Sequence, residues 1–233
     1  ASARVEGDFP PPPEAAATPA WEAVAAAARR DPEANEFAEG SPMAPAHDGA
    51  ARYAAPDFAA GRPVLAGLLD LNARIRHDFA FRAGVTTLST PIAEVLKRRE
   101  GVCQDFTHLM IGALRGLGLP ARYVSGYIRT RPPPGQMRRR GADQSHAWVG
   151  CWLGPQHGWV DLDPTNGIVV KDEHVVLAWG RDYADISPVR GVVLGGGAVL
   201  YVNAMLSVDG ENPHQVQGVT FGAGGAGNVP QCR

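Results

Sequence analysis

Arg99 to Leu117 reads REGVCQDFTHLMIGALRGL, and its periodicity organises the chain around it. From Phe106 the apolar residues Phe106, Leu109, Met110, Ala113, Leu114 and Leu117 recur at steps of three and four, which is one stripe of an amphipathic helix. Cys103 lies three residues before Phe106 and falls on the same stripe. Gly101 interrupts the preceding pattern and Asp105 supplies a first-turn acid, so the spacing predicts a helix start between Val102 and Gln104. The thiol then sits at the positive end of the helix dipole. Unpaired N–H groups and a cationic neighbour can draw a cysteine pKa there from about 8.5 into the range of roughly 3.5 to 7.5. The same N–H groups suit an oxyanion. Taken without partners, Cys103 also fits the role of a small buried hydrophobe.

With 233 residues, 45% hydrophobic and 20% charged, the chain has the composition of a globular protein with one substantial core. A net charge of -2 argues against a generic polyanion partner. The local exception, Arg138 to Arg140 within the loop RPPPGQMRRRGADQ (Arg131 to Gln144), reads as a solvated loop tip. Cys103, Cys151 and Cys232 are odd in number and lack C-x-x-C spacing. They suggest neither a disulfide framework nor a structural zinc site, and fit a reducing, cytoplasmic compartment. No run approaches the length of a membrane span, and no signal-peptide pattern opens the chain. The start at Ala1 fits a fragment of a longer protein.

The chain divides into a Pro/Ala-rich lead segment (1–62), a core domain (63–217) and a Gly-rich tail (218–233) expected to be loosely ordered. The lead is expected to be mostly irregular. Its one short helix is capped by Thr18, has Pro19 at its first position and Trp21, Val24, Ala25 and Ala28 on one face, and stops at Pro32. Helical spacings mark Pro63 to Phe79 and Pro91 to Arg99. The period then changes: Ala121 to Thr130, Ser145 to Leu153, Gly158 to Asp163 and Val175 to Trp179 read as strands, and Gly191 to Ser207 as a hairpin.

A nucleophilic Cys103 needs an imidazole, and the imidazole a third group that fixes its tautomer. His146 and Asp163 lie on consecutive strands. By alternation His146, Trp148 and Trp152 share one face, Cys151 points to the other, and Trp159, Asp161 and Asp163 share a face. An antiparallel register whose paired numbers sum to 309 sets His146 opposite Asp163, and a sum of 311 sets it diagonally. Both allow contact, whereas an even sum excludes it. The plainer readings are a hydrogen-bonded sheet histidine for His146 and a turn initiator, in Asp163-Pro-Thr-Asn-Gly167, for Asp163.

GVCQDFTHLMIGALRGLGLPARYVSGYI, then SHAWVGCW, then GWVDLDPTNG, and later DEHVVLAWGRDYADISPVRGVVLGGG, resemble the transglutaminase-like superfamily in its bacterial cysteine peptidase branch, from about Pro63 to about Ser207. The resemblance implies an α+β, papain-like fold with helices packed on an antiparallel sheet. It also implies Cys103 as nucleophile, His146 as general base and Asp163, not Asp161, as its orienting partner. By analogy Tyr127 of the SGY motif lies near the thiol as a substrate-binding candidate. Members of the branch usually carry a β-rich region before the core, which nothing here matches.

Gln104 is the other substrate-binding candidate, able to reach toward an oxyanion, with capping or surface use as its plainer role. His108, about 140° around the helix from Cys103, reads as structural. A metal held by Cys103, His146 and Asp163 lacks a fourth ligand, so no metal or cofactor is expected. The expected activity is acyl transfer on a peptide or protein amide through a thioester, with hydrolysis ahead of transamidation. The alternative of another class is a non-catalytic binding module. No nucleic-acid or membrane partner is expected.

Overall fold

The computed structural model describes residues 10–129 and 144–186, together with short strands at residues 3–4, 202–203, 207–209, 215–217 and 222–223. Apart from those short strands, the loop carrying Arg138 to Arg140, the Gly191–Ser207 hairpin, the Gly-rich tail and Cys232 lie outside the described residues.

The lead segment departs from expectation. Helix α1 (Trp21–Ala28) forms, but Thr18 does not cap it: its hydroxyl donates to Ala15 O and accepts from Leu65 N–H, tying the lead to the next helix. Pro32 opens α2 (Pro32–Ala38) under an Asp31 cap instead of only ending α1, and α3 (Asp48–Ala54) follows under a His47 cap. Proline suits the first helical turn, where its missing N–H has no partner to lose. Their small faces, with Ala28, Ala34, Ala50 and Ala54 all inaccessible, and Ala44 in the link between α2 and α3, belong to the main core. The lead is therefore part of the folded body.

Helices α4 (Val64–Asp78) and α5 (Ile92–Arg98) sit where the periodicity predicts them. Helix α6 (Cys103–Gly116) begins within the expected window. It is more than an amphipathic stripe: apart from Gln104, every residue from Cys103 to Arg115 is buried, because α3, α4 and α5 cover the faces that the sheet leaves open. Phe106, Leu109, Met110, Ile111 and Leu114 are almost wholly inaccessible, each burial contributing about 1.5–3 kcal/mol.

Strand β1 (Ala3–Arg4) pairs with the distant short strands described below. β2 (Ala80–Phe81) pairs in parallel with β3 (Glu100–Gly101) just before α6. The main sheet contains β4 (Ala121–Ile128), β5 (Gln144–Trp152), β6 (Trp159–Asp163), β7 (Ile168–Val169) and β8 (His174–Gly180), in the order β7-β6-β5-β4-β8, every neighbour antiparallel. The short strands β9 (Val202–Asn203), β10 (Ser207–Asp209), β11 (Gln215–Gln217) and β12 (Gly222–Ala223) pair as β12-β9 and β1-β11-β10. One face of the main sheet, with Ala121, Tyr123, Ala147, Val149 and Cys151, packs in the core against α6. The mixed α+β architecture is the one expected.

Candidate active site

Three local devices hold the start of α6. Arg99, in the left-handed region at φ 57°, ends α5, and its guanidinium lies over the rings of Tyr53 and Phe79. The β2–β3 pairing then fixes Glu100 and Gly101. Asp105 accepts from Val102 N–H at 2.7 Å and from the Thr86 hydroxyl at 2.6 Å. Valine offers no side-chain acceptor in return, so this is half of a capping box. Burial pushes the Asp105 carboxyl up, against the two hydrogen bonds. Gly101 is required here, since a Cβ would stand 2.7 Å from the Asp105 carboxylate. The Gln104 amide donates to Leu88 O at 3.2 Å, which ties the preceding loop to the first turn.

Cys103 is 1% exposed at the first position of α6. It is disulfide-bonded, whereas Cys151 is a free, buried thiol. This corrects the expectation of a chain without disulfides, because residue spacing does not report which sulfurs meet in space. Burial pushes the Cys151 thiol far up, and alternation points it away from His146 as expected.

Topology brings His146 to the same end of the molecule as Cys103. Helix α6, 14 residues long, spans about 21 Å. After Leu117 to Pro120 the chain returns along the helix as β4, whose 8 residues span about 26 Å. Arg115 bonds to Ala121 O, and the His108 ring meets the Tyr123 ring at 5.0 Å, so β4 climbs toward the helix start. At its far end Gly126 pairs with His146 and Tyr127 with Ser145. Tyr127 therefore stands at the end of β4 nearest the start of α6, on the helix-facing side, where burial raises its hydroxyl pKa.

The β5–β6 pairs Val149–Leu162 and Trp152–Trp159 both sum to 311, the diagonal register. His146 Nε2 lies 2.8 Å from Asp163 Oδ2, with the carboxylate fully buried. The two readings of Asp163 coexist, one on each oxygen. Oδ1 accepts from Thr165 and Asn166 N–H and so builds the Pro-Thr-Asn-Gly turn. Oδ2 accepts from His146, from the Asn166 amide at 2.6 Å and from His174 Nε2 at 3.2 Å. Burial alone would raise the Asp163 carboxyl. The hydrogen bonds from His146 and His174, the charge of His146 and the Asn166 amide outweigh it and hold the group well below the usual carboxylate range. Helix α4 supports the turn from beneath: Asn72 donates to Ile168 O, and Arg76 lies under Gly167, which has φ 70°.

Strand β8 starts at His174, one residue before the Val175 start that its apolar pattern predicts. A strand one residue longer places an imidazole at the open end of the sheet, and that signal was present. His108 is structural as expected: it accepts from Tyr183 N–H at 3.3 Å, and burial lowers its pKa to about 4. The suggested metal set of Cys103, His146 and Asp163 is not the group that gathers. Among the described residues the one such cluster is His146, Asp163 and His174, with ligand-type atoms within 4.8 Å of one another. The Asn166 amide N–H already points at the shared oxygen, which marks a hydrogen-bonded cluster and not a cation cage. No helix among the described residues is long and apolar enough to cross a membrane.

Residues 54–164 match the model of the transglutaminase-like superfamily. An uncharacterized protein of Mycobacterium tuberculosis is 46% identical over 191 residues, 79% of this chain and 61% of the relative, so the chain spans about 61% of that relative's length. A protein-glutamine gamma-glutamyltransferase of Pseudomonas aeruginosa is 33% identical over 100 residues, 40% of this chain and 15% of that protein. Among solved structures, a candidate cysteine protease from Cytophaga hutchinsonii superposes with a TM-score of 0.55 at 29% identity, covering 66% of this chain and 49% of the other.

Proposed function

We propose that this chain, which belongs to the transglutaminase-like superfamily, is a cysteine-dependent acyl-transfer enzyme acting on an amide, with Cys103, His146 and Asp163 as its triad. The observation that carries this reading is the buried 2.8 Å bond between His146 and Asp163, on the end of β5 that pairs with the far end of β4.

In the reduced enzyme the Cys103 thiolate attacks the amide carbonyl carbon. N–H groups at the first turn of α6, which have no acceptor within the helix, stabilise the oxyanion. The C–N bond breaks as His146 gives its proton to the departing amine, leaving a thioester. Water then attacks the thioester, His146 takes its proton, and the C–S bond breaks to release a carboxylic acid and Cys103. Asp163 holds His146 with one ring nitrogen on the carboxylate, which leaves the other for the sulfur and substrate. Tyr127 and Gln104 border the helix start, where a substrate chain would run.

Hydrolysis is the favoured outcome, in keeping with the likeness to the candidate cysteine protease. The gamma-glutamyltransferase relative supports a second reading, in which an amine replaces water at the thioester. The test uses the full chain under reductant. Alkylation of Cys103 is followed by mass against pH in wild type and in His146→Ala, and casein is then supplied with and without a fluorescent primary amine. A thiolate formed well below the free-cysteine value of about 8.5 and lost in His146→Ala supports the triad. New casein fragments then identify a hydrolase, and fluorescent casein a transamidase. A slow thiol indifferent to His146→Ala would overturn the proposal in favour of a binding module.

A further inference from the structure

Asp163 serves two imidazoles, and the triad explains only one. His174 opens β8 opposite Ile128 at the end of β4. Its ring is 1% exposed and lies edge-on to Trp148, centroids 5.1 Å apart, with the His146 ring 5.9 Å away. The backbone is shaped to allow this. A bulge in the β4–β8 register falls between Ser125 and Gly126, and a Cβ on Gly126 would meet Val175 O at 2.0 Å and the Trp148 ring at 2.6 Å.

The geometry also sets which nitrogen of His174 faces the carboxylate. An ionised carboxylate only accepts, so the Nε2 that faces Asp163 Oδ2 carries the proton. Nδ1 is buried and has no hydrogen-bond partner among the described residues. A second proton there would be a buried N–H with no partner among the described residues. Among the described residues, the titratable groups facing His174 are Asp163 on β6 and His146 on β5. Asp161 on β6 acts at longer range, and on β4 Tyr127 adjoins its pairing partner Ile128.

We propose that His174 is a positioning residue of this site: a neutral imidazole that holds Oδ2 of Asp163 and withholds part of its charge from His146. The inference rests on the acyl-transfer reading above. Removing the His174 donor leaves Asp163 seated by Thr165 and Asn166 while concentrating its charge on His146, which favours the thiolate–imidazolium pair.

The test is Cys103 alkylation against pH in the reduced full chain of wild type, His146→Ala, His174→Leu and His174→Gln. His174→Leu moves the acid limb of the profile to lower pH, with alkylation below that limb about three- to tenfold faster, the size of one hydrogen bond. In His174→Gln the side-chain amide restores a donor and the profile returns to within about twofold of wild type. An unmoved or upward-shifted limb in His174→Leu, or a shift of equal size in His174→Gln, would overturn the inference. Imidazole ¹⁵N NMR of wild type decides independently of whether the variants fold. The proposal requires His174 to stay neutral with its proton on Nε2 while His146 titrates, and a proton on Nδ1 would sink it. A wild-type thiol indifferent to His146→Ala would refute the triad itself, a result separate from either of these.

Discussion

Asp161 and Asp163 lie two residues apart on the same face of β6, and their carboxyls are driven in opposite directions. Asp163 is the more deeply buried, fully inaccessible, yet its carboxyl is the one held below the usual range. Asp161 keeps 20% of its side chain exposed and is nevertheless raised above the usual range by desolvation. The number of donors makes the difference. Asp161 receives the Trp148 indole N–H at 3.0 Å and has Arg122 at 3.9 Å, while Asp163 receives three side-chain and two backbone N–H groups. Burial sets the cost of a charge, and the donors converging on it decide whether the charge survives. The carboxyl held low is the one beside His146. The Arg122 guanidinium near Asp161 instead lies over the rings of Trp159 and Trp179, an arrangement of packing.

The strongest way to break this contrast is Asp163→Ala. It strands two imidazoles and the donors of the turn, and is expected to cost about 3–5 kcal/mol in urea unfolding at pH 7. The pH dependence sharpens it. The folded pKa of Asp163 is depressed, so its contribution is fully present above the unfolded value of about 3.9 and is lost as pH falls toward the folded value. Unfolding measured from pH 6 downward should therefore show a steeper acid loss in wild type than in Asp163→Asn. A smaller effect is expected of Gly126→Ala, whose Cβ collides with the Val175 carbonyl and the Trp148 ring. The loss is about 2–3 kcal/mol, read in the same unfolding assay, with a displaced His174 visible by imidazole NMR.

Asp161→Asn should do least, within about 1 kcal/mol at neutral pH, since the amide oxygen still accepts from Trp148. Its sign is opposite to that of Asp163. The raised folded pKa means that wild type loses stability as pH rises through the window between the unfolded value and the raised one, and Asp161→Asn lacks that loss. Melting curves across pH 4 to 7 would expose it. Equal and parallel pH slopes for the two variants would remove the distinction between the carboxylates.

Much of this site was legible in the chain. The three- and four-residue steps after Phe106 place Cys103 at a helix start, and alternation with an odd register sum puts His146 and Asp163 on one face, because strand geometry has a period of two whatever surrounds it. The lead segment was not legible. Its helices bury alanines, whose small side chains give weak periodicity and gain their packing only when α6 and the sheet are already beside them. Gln104 and Asp105 illustrate the same limit at close range. Their residue types suggested an oxyanion contact and a first-turn acid, and the observed roles, a bond to Leu88 O and one shared with Thr86, depend on a loop folded back from earlier in the chain.

By itself, then, the order of residues determined the elements that carry the site, the face on which each side chain emerges and the shared face of His146 and Asp163, all consequences of local backbone geometry. Only the tertiary structure decided that His174 shares the Asp163 oxygen, that the Asp161 and Asp163 carboxyls are pushed in opposite directions, and that β4 runs back along α6 toward its start and the register of β5 selects the diagonal. Hydrogen-bond competition and desolvation depend on every group that converges on a point, and those groups come from β5, β6, β8 and the turn after Asp163, which no local pattern brings together.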